Sequence, residues 1–144
     1  MGQTLVTYTD TINHFSINLP ADWKYGINKN APTIKLIAYH VQTDKSDTIR
    51  DNFNLNIIDV KNSSLDKEFA KMLKSLRSTN NFNLIDTGNI VIDDKPFKWY
   101  IENHENQNSK TQISNYVFLT YYDHRTYILT TVALSKNFGS SKEL

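Results

Sequence analysis

The chain has 144 residues, 39% hydrophobic and 12% aromatic, a length and composition that suit one folded domain, spanning 1–144, able to bury a continuous core. Sixteen basic and fifteen acidic side chains leave a formal net charge of +1, scattered without a basic stripe or cluster, which argues against nucleic acid and anionic lipid as partners. No cysteine is present, so disulfides, thiolate metal sites and cysteine nucleophiles are excluded.

Met1 and Gly2 open directly onto Gln3, Thr4 and Leu5, without the charged and apolar blocks of a secretion signal, and Val6 breaks the myristoylation pattern. No apolar run approaches the roughly 20 residues of a membrane span. Phe15, Ile17 and Leu19 alternate with Ser16 and Asn18, the two-residue period of a strand with one buried face, and Pro20 ends it. Ala21, Asp22 and Trp23 read as a turn that folds Trp23 back onto the sheet edge. Residues 33–41 carry Ile34, Leu36 and Ala38 on one side and Ile37, Tyr39 and Val41 on the other, so this strand is apolar on both faces. After a polar loop over 42–51, Phe53, Leu55 and Ile57 alternate with Asn54 and Asn56, whose side chains are expected to meet water.

Asn62, Ser63 and Ser64 supply capping oxygens, and Asp66 and Glu68 place negative charge where a helix dipole favours it. Leu65, Phe69, Met72, Leu73 and Leu76 then form one apolar stripe, predicting an amphipathic helix over about 64–78. Two β-hairpins follow. The first runs over 83–92, turns at Asp93, Asp94, Lys95 and Pro96, and returns through Phe97, Trp99 and Ile101, with Gly88 as a candidate bulge. The second runs over 112–121, turns at Tyr122, Asp123 and His124, and returns over 126–134. In it Val117 and Leu119 oppose Tyr116 and Phe118, and Ile128 and Val132 oppose Tyr127 and Leu129, so both faces are expected to be covered. The fold class is therefore α+β, an antiparallel sheet of about six or seven strands with the helix on one face.

Catalytic and metal chemistry find little footing. His14, His40, His104 and His124 show no HxH or HExxH spacing. Glu102 and His104 share a strand face as two potential ligands, but a solvated hairpin end accounts for them without a metal. Asp93 and Asp94 sit as turn residues rather than as an acid and base pair. Ser135 and Ser140 lack the setting of an activated nucleophile, and the glycines form no phosphate loop. No enzyme activity and no cofactor are expected. Asn62-Ser63-Ser64 matches a glycosylation sequon, but helix capping explains it fully and is the favoured reading.

The aromatics are the remaining feature. Tyr100, Tyr116, Phe118, Tyr122 and Tyr127 crowd the two hairpins, either as cross-strand core or as a surface for a protein partner.

The order of elements, with Phe15-Ser16-Ile17-Asn18-Leu19-Pro20 followed by Asp22-Trp23 near the start, resembles the PsbP-like superfamily over most of the chain. That superfamily includes photosystem II extrinsic proteins, DcrB-type bacterial lipoproteins, a Ran-binding import factor and secretion-effector chaperones. The resemblance implies a sheet between helices and partner binding rather than catalysis. It further implies the mature part of a bacterial exported protein or lipoprotein, periplasmic or associated with the cell envelope. An intracellular chaperone or adaptor binding on the sheet face is the alternative. Members close with a C-terminal helix, and Leu144 falls roughly where that helix would begin, so one sheet face is expected to be covered by a partner or by a second copy in a homodimer. The members differ too much in partner for any functional residue to be carried over.

Overall fold

The computed structural model describes residues 4–27, 31–40, 52–79, 82–105, 108 and 110–134, with Ala133 and Leu134 described by their backbone alone. In chain order its strands are β1 (Leu5–Asp10), β2 (Phe15–Pro20), β3 (Lys24–Gly26), β4 (Ile34–Tyr39) and β5 (Asn52–Asp59). Helix α1 (Leu65–Leu76) follows, and then β6 (Asn83–Ile92), β7 (Lys95–Glu105), β8 (Gln112–Tyr122) and β9 (Arg125–Leu134). Strands β3 to β9 form one seven-stranded antiparallel sheet in the order β3-β4-β5-β9-β8-β7-β6, and β1 and β2 form a separate hairpin.

The turns follow from short polar side chains that tolerate left-handed backbone. Asp93 and Asp94 have φ of 49° and 61°, and Asp123 and His124 have φ of 50° and 60°. Two successive residues of this kind make the tight hairpin turn whose twist matches the flanking strands. The first turn is therefore shorter than expected, and Lys95 and Pro96 belong to β7. Proline is tolerated there because the ladder to β8 begins only at Lys98, paired with Leu119. Between β1 and β2, the Asp10 carboxylate accepts the N–H groups of Ile12 and Asn13 at 2.9 and 2.8 Å and the Asn13 amide at 2.7 Å. Burial opposes the charge on Asp10, but these hydrogen bonds, with Lys35 nearby, hold its carboxyl below the ordinary value.

Strand β5 lies beside β9, with Leu55 opposite Leu129 and Asn56 opposite Ile128. To reach β6 at the far edge, the chain must pass over β9, β8 and β7, and α1 makes that crossing on one face. Ser64 caps the helix, its hydroxyl accepting the Lys67 N–H at 3.2 Å. Leu65, Phe69, Met72, Leu73 and Leu76 pack against Tyr100, Val117, Leu119 and Ile128. Glu68 does more than answer the helix dipole. It is buried, accepting from Ser63 Oγ at 2.8 Å and Thr126 Oγ1 at 3.2 Å and pairing with Lys71 at 3.4 Å. Burial raises the cost of its charge, yet these partners keep its carboxyl below the usual value.

The second core lies on the opposite face, toward the other edge. Leu19 and Trp23 close over Leu36, Ala38, Leu55 and Ile57, with Tyr8, Phe15, Ile17, Phe53, Tyr127 and Leu129 around them. Trp23 thus enters the core itself. A register shift between Ile34 and Leu36 sets Ile34 opposite Asn56, so Ile34 leaves the face it was expected to share with Leu36. Asn54 and Asn56 are half-buried on the helix side, the Asn56 amide donating to Asn54 Oδ1 at 2.8 Å and Thr33 Oγ1 donating to Asn56 Oδ1 at 3.2 Å. They satisfy each other rather than only water.

Fully buried Leu119 sits under the helix, while Val91 projects from the sheet edge. Leu119→Ala is expected to lower unfolding free energy by about 3 kcal/mol. Val91→Ala should stay within about 0.5 kcal/mol. Urea denaturation of the two variants checks both.

Candidate binding face

Strand parity decides which side each aromatic takes. Tyr100, opposite Val117, points to the helix, is 2% exposed and lies 6.0 Å from the Phe69 ring. It is core, and its expected place in a partner surface is corrected. Tyr127 faces the hairpin side among the residues around Leu19 and Leu55, its hydroxyl donating to the Asn13 carbonyl at 3.4 Å. It too leaves the proposed surface, because the β1–β2 hairpin lies against it.

Tyr116 and Phe118 do come together. Their rings stack at 4.6 Å with an interplanar angle of 13°, and Trp99 joins at 5.6 Å from Tyr116. Trp99 is opposite Phe118, and Ile101 opposite Tyr116, so all four belong to the face turned away from the helix. Among the described residues, neither apolar core includes Trp99, Tyr116 or Phe118, and each remains half-buried. Tyr122 continues the face at the hairpin end, 53% exposed, with Lys95 Nζ 4.9 Å from its ring centre. Such a charge over a ring face is attracted by the ring quadrupole.

Gly88 explains how Trp99 lies down. Paired with Trp99 across β6 and β7, it has no side chain, and a Cβ at that position would stand 2.5 Å from the indole Cζ2. The ring occupies the space a side chain would take, an arrangement that shields a glycine at a sheet edge. The bulge expected at Gly88 lies instead between Leu84 and Asp86. Trp99 is the member of this face that the local pattern of β7 does not single out. A glycine opposite a tryptophan, both at the parity of Tyr116 and Phe118, is the signal that identifies it.

A second polar cluster lies under the helix side. Glu102 is fully buried, with His104 Nδ1 3.1 and 3.0 Å from its two oxygens. The Asn115 amide also donates to it. The imidazole therefore presents Nδ1–H to the carboxylate, and the amide nitrogen blocks the approach a cation would need. Among the described residues no three His, Asp or Glu side chains converge as a metal site. His14 and His124 occupy turns, and His40 Nε2 lies 3.8 Å from Asp22. Asp93 and Asp94 are turn residues. Ser135, Ser140 and the tail over 136–144 lie outside the described residues. Asn62 sits in the turn before the helix at φ 58°. Among the described residues no helix is long and apolar enough to cross a membrane.

No protein-family profile and no curated protein sequence matches the chain. Solved structures do. The solution structure of cyanobacterial PsbP from Synechocystis sp. PCC 6803 aligns over 99% of this chain and 88% of its own, with 12% identity and a TM-score of 0.67. This chain has the PsbP-like fold. PA94 of Pseudomonas aeruginosa, a protein of unknown function, aligns over 96% of this chain and 89% of its own at 10% identity and a TM-score of 0.67. LpqN of Mycobacterium tuberculosis, involved in cell envelope biogenesis, aligns over 98% and 78% at 11% identity and a TM-score of 0.61. These likenesses reach from the first hairpin to β9 and establish the PsbP-like architecture expected from the Leu19-Pro20 strand and Trp23.

Two measurements test the site geometry. Gly88→Ala should displace Trp99 and cost about 1–3 kcal/mol, the range for overpacking, read by denaturation together with a shift in tryptophan emission in a Trp23→Phe background. Tyr100 gives a pH signature. Burial first, and then the neighbouring Glu102 charge, push its phenol well above the ordinary tyrosine value. Above pH about 10 the unfolded chain releases that proton while the folded chain retains it, so stability falls as pH rises. Tyr100→Phe should flatten this alkaline decline in melting temperature measured from neutral pH upward.

Proposed function

We propose that this protein is a noncatalytic binding or accessory domain that docks a protein partner on the sheet face carrying Trp99, Tyr116 and Phe118. The carrying observation is the aromatic stack itself, half-buried and outside both apolar cores. Aromatic side chains offer large, rigid contact area and are enriched where proteins meet. Ile101 beside them and Tyr122 with Lys95 at the rim give the patch an apolar centre and a polar margin, the usual anatomy of an interface.

Its place of action is the cell envelope, as the mature part of an exported protein or lipoprotein. Supporting this is the fold shared with LpqN, a protein involved in cell envelope biogenesis. The same fold occurs in a cyanobacterial PsbP. The hydrogen bond between Glu102 and His104 reads as structural, because the carboxylate is wholly enclosed and also accepts from the Asn115 amide.

A photo-crosslinking residue placed at Tyr116 in the native cell should yield a discrete protein adduct. The same residue at Lys74, on the exposed side of the helix, should yield none. Equal labelling at both positions, or none at Tyr116, would sink the proposed face. Recovery of the adduct in the cytoplasmic fraction alone would remove the envelope assignment.

A further inference from the structure

Trp99 lies flat over Gly88, so one face of its indole is turned to the glycine and the other away from it. Tyr116, its ring centre 5.6 Å from that of Trp99 and tilted by 44°, stands beside the indole as a wall. Asp86 completes the group. It is opposite Ile101 and lies two residues from Gly88 on the same face of β6, which sets it about 7 Å along the strand from the place the indole covers. Its side chain is exposed, and among the described residues no lysine or arginine pairs with it. One oxygen accepts the Thr87 N–H at 2.8 Å, a bond that leaves an ionised carboxylate able to take further donors.

The cations on this face are already engaged. Among the described residues of β6 to β9, Lys95 and Arg125 are the basic side chains at the parity of Trp99. Lys95 Nζ sits 4.9 Å from the Tyr122 ring centre, and Arg125 Nε pairs with Asp59 at 3.3 Å. Asp93, Asp94 and Asp123, exposed in the hairpin turns, add negative charge at one end. An electron-rich ring face beside a carboxylate without a cation is complementary to an organic cation and repels an anion.

We infer that the partner docked on this face presents an arginine, its guanidinium lying on the Trp99 indole beside Tyr116 and hydrogen-bonded to Asp86. This rests on the reading of the face as a protein-docking surface and adds the chemistry of what docks there. Arginine suits the group better than lysine. A planar, weakly hydrated guanidinium stacks on an indole while its fork of N–H donors meets a carboxylate at the edge, whereas a compact ammonium has no flat face to offer. Ile101, between Asp86 and Tyr116 in the sheet, supplies apolar surface for the arginine stem. The same attraction is used inside the chain, where Lys98 Nζ lies 5.6 Å from the Phe69 ring centre.

A capped peptide, acetyl-Ala-Leu-Arg-Leu-Ala amide, is the probe, with its citrulline counterpart as the neutral control of the same shape. The chain has two tryptophans, so the Trp99 indole N–H resonance can be followed directly and assigned by its absence in Trp99→Leu. The arginine peptide should shift it saturably and bind at least about threefold more tightly than the citrulline peptide. Asp86→Asn should remove that preference and Asp86→Lys should reverse it, with far-UV circular dichroism verifying the fold. Equal affinity for the two peptides, or no shift with the arginine peptide, overturns the inference and leaves the docking face standing. In the cell, the crosslink formed from position 116 should be lost in Asp86→Lys. An undiminished adduct in that variant overturns the arginine contact alone, whereas no adduct in the chain with Asp86 intact sinks the docking face and the inference with it.

Discussion

Everything in this fold hangs on β9 being apolar on both sides. Ile128 faces the helix, while Tyr127 and Leu129 face the β1–β2 hairpin, so one strand forms the floor of two cores on opposite faces. Its ladder to β5 ties the first half of the chain to the last described strand, and its ladder to β8 carries the second half. A polar substitution at Ile128 would strip the helix of its seat, and one at Leu129 would strip the hairpin. A central strand covered twice is what the hydrophobic effect requires where, among the described residues, one helix and one hairpin shelter a sheet of this width.

The same economy leaves two half-faces outside the cores, and their chemistry differs. Beside the helix, the β4–β5 half presents Asn54 and Asn56 bonded to each other and to Thr33. Beside the hairpin, the β7–β8 half presents Trp99, Tyr116 and Phe118. A face of amides has good partners in water, whereas a face of stacked rings gains from being covered. The path of α1, fixed by the jump from β5 to β6, determines which half is which. The location of the proposed binding face thus follows from topology, and the aromatic residues lie on the half that the helix leaves bare.

Much of this was legible in the sequence because periodicity reports burial directly. The one-sided alternation of Phe53, Leu55 and Ile57, the helical stripe from Leu65 to Leu76 and the Ser64 cap all stand as read, since each is decided by neighbours in the chain. Errors arose where a partner strand decides. Ile34 changed faces through a register shift that no local pattern encodes, and Glu68 turned inward because Thr126, distant in sequence, offers it a hydroxyl. Strand β1, with its weak pattern at Leu5 and Val6, is fixed by pairing with β2 from Leu5 opposite Pro20 to Asp10 opposite Phe15. Tyr100 and Tyr116 look alike in composition, yet their even numbers fall on opposite faces because adjacent strands impose their own parity. Of the site, the cluster of aromatics was readable; which of them share a face was not.

The pairing of β5 with β9 has a temporal consequence. Helix α1 and the hairpins β6–β7 and β8–β9 assemble from neighbours in the chain, and contacts of that kind form early. Strand β5, with Phe53, Leu55 and Ile57, has β4 on one flank and must wait for β9 on the other. While the protein is being made, the amino-terminal portion therefore emerges first but is completed last. Until β9 pairs with it, Phe53, Leu55 and Ile57 line a strand with one open flank, the kind of transiently exposed apolar edge from which misassembly starts.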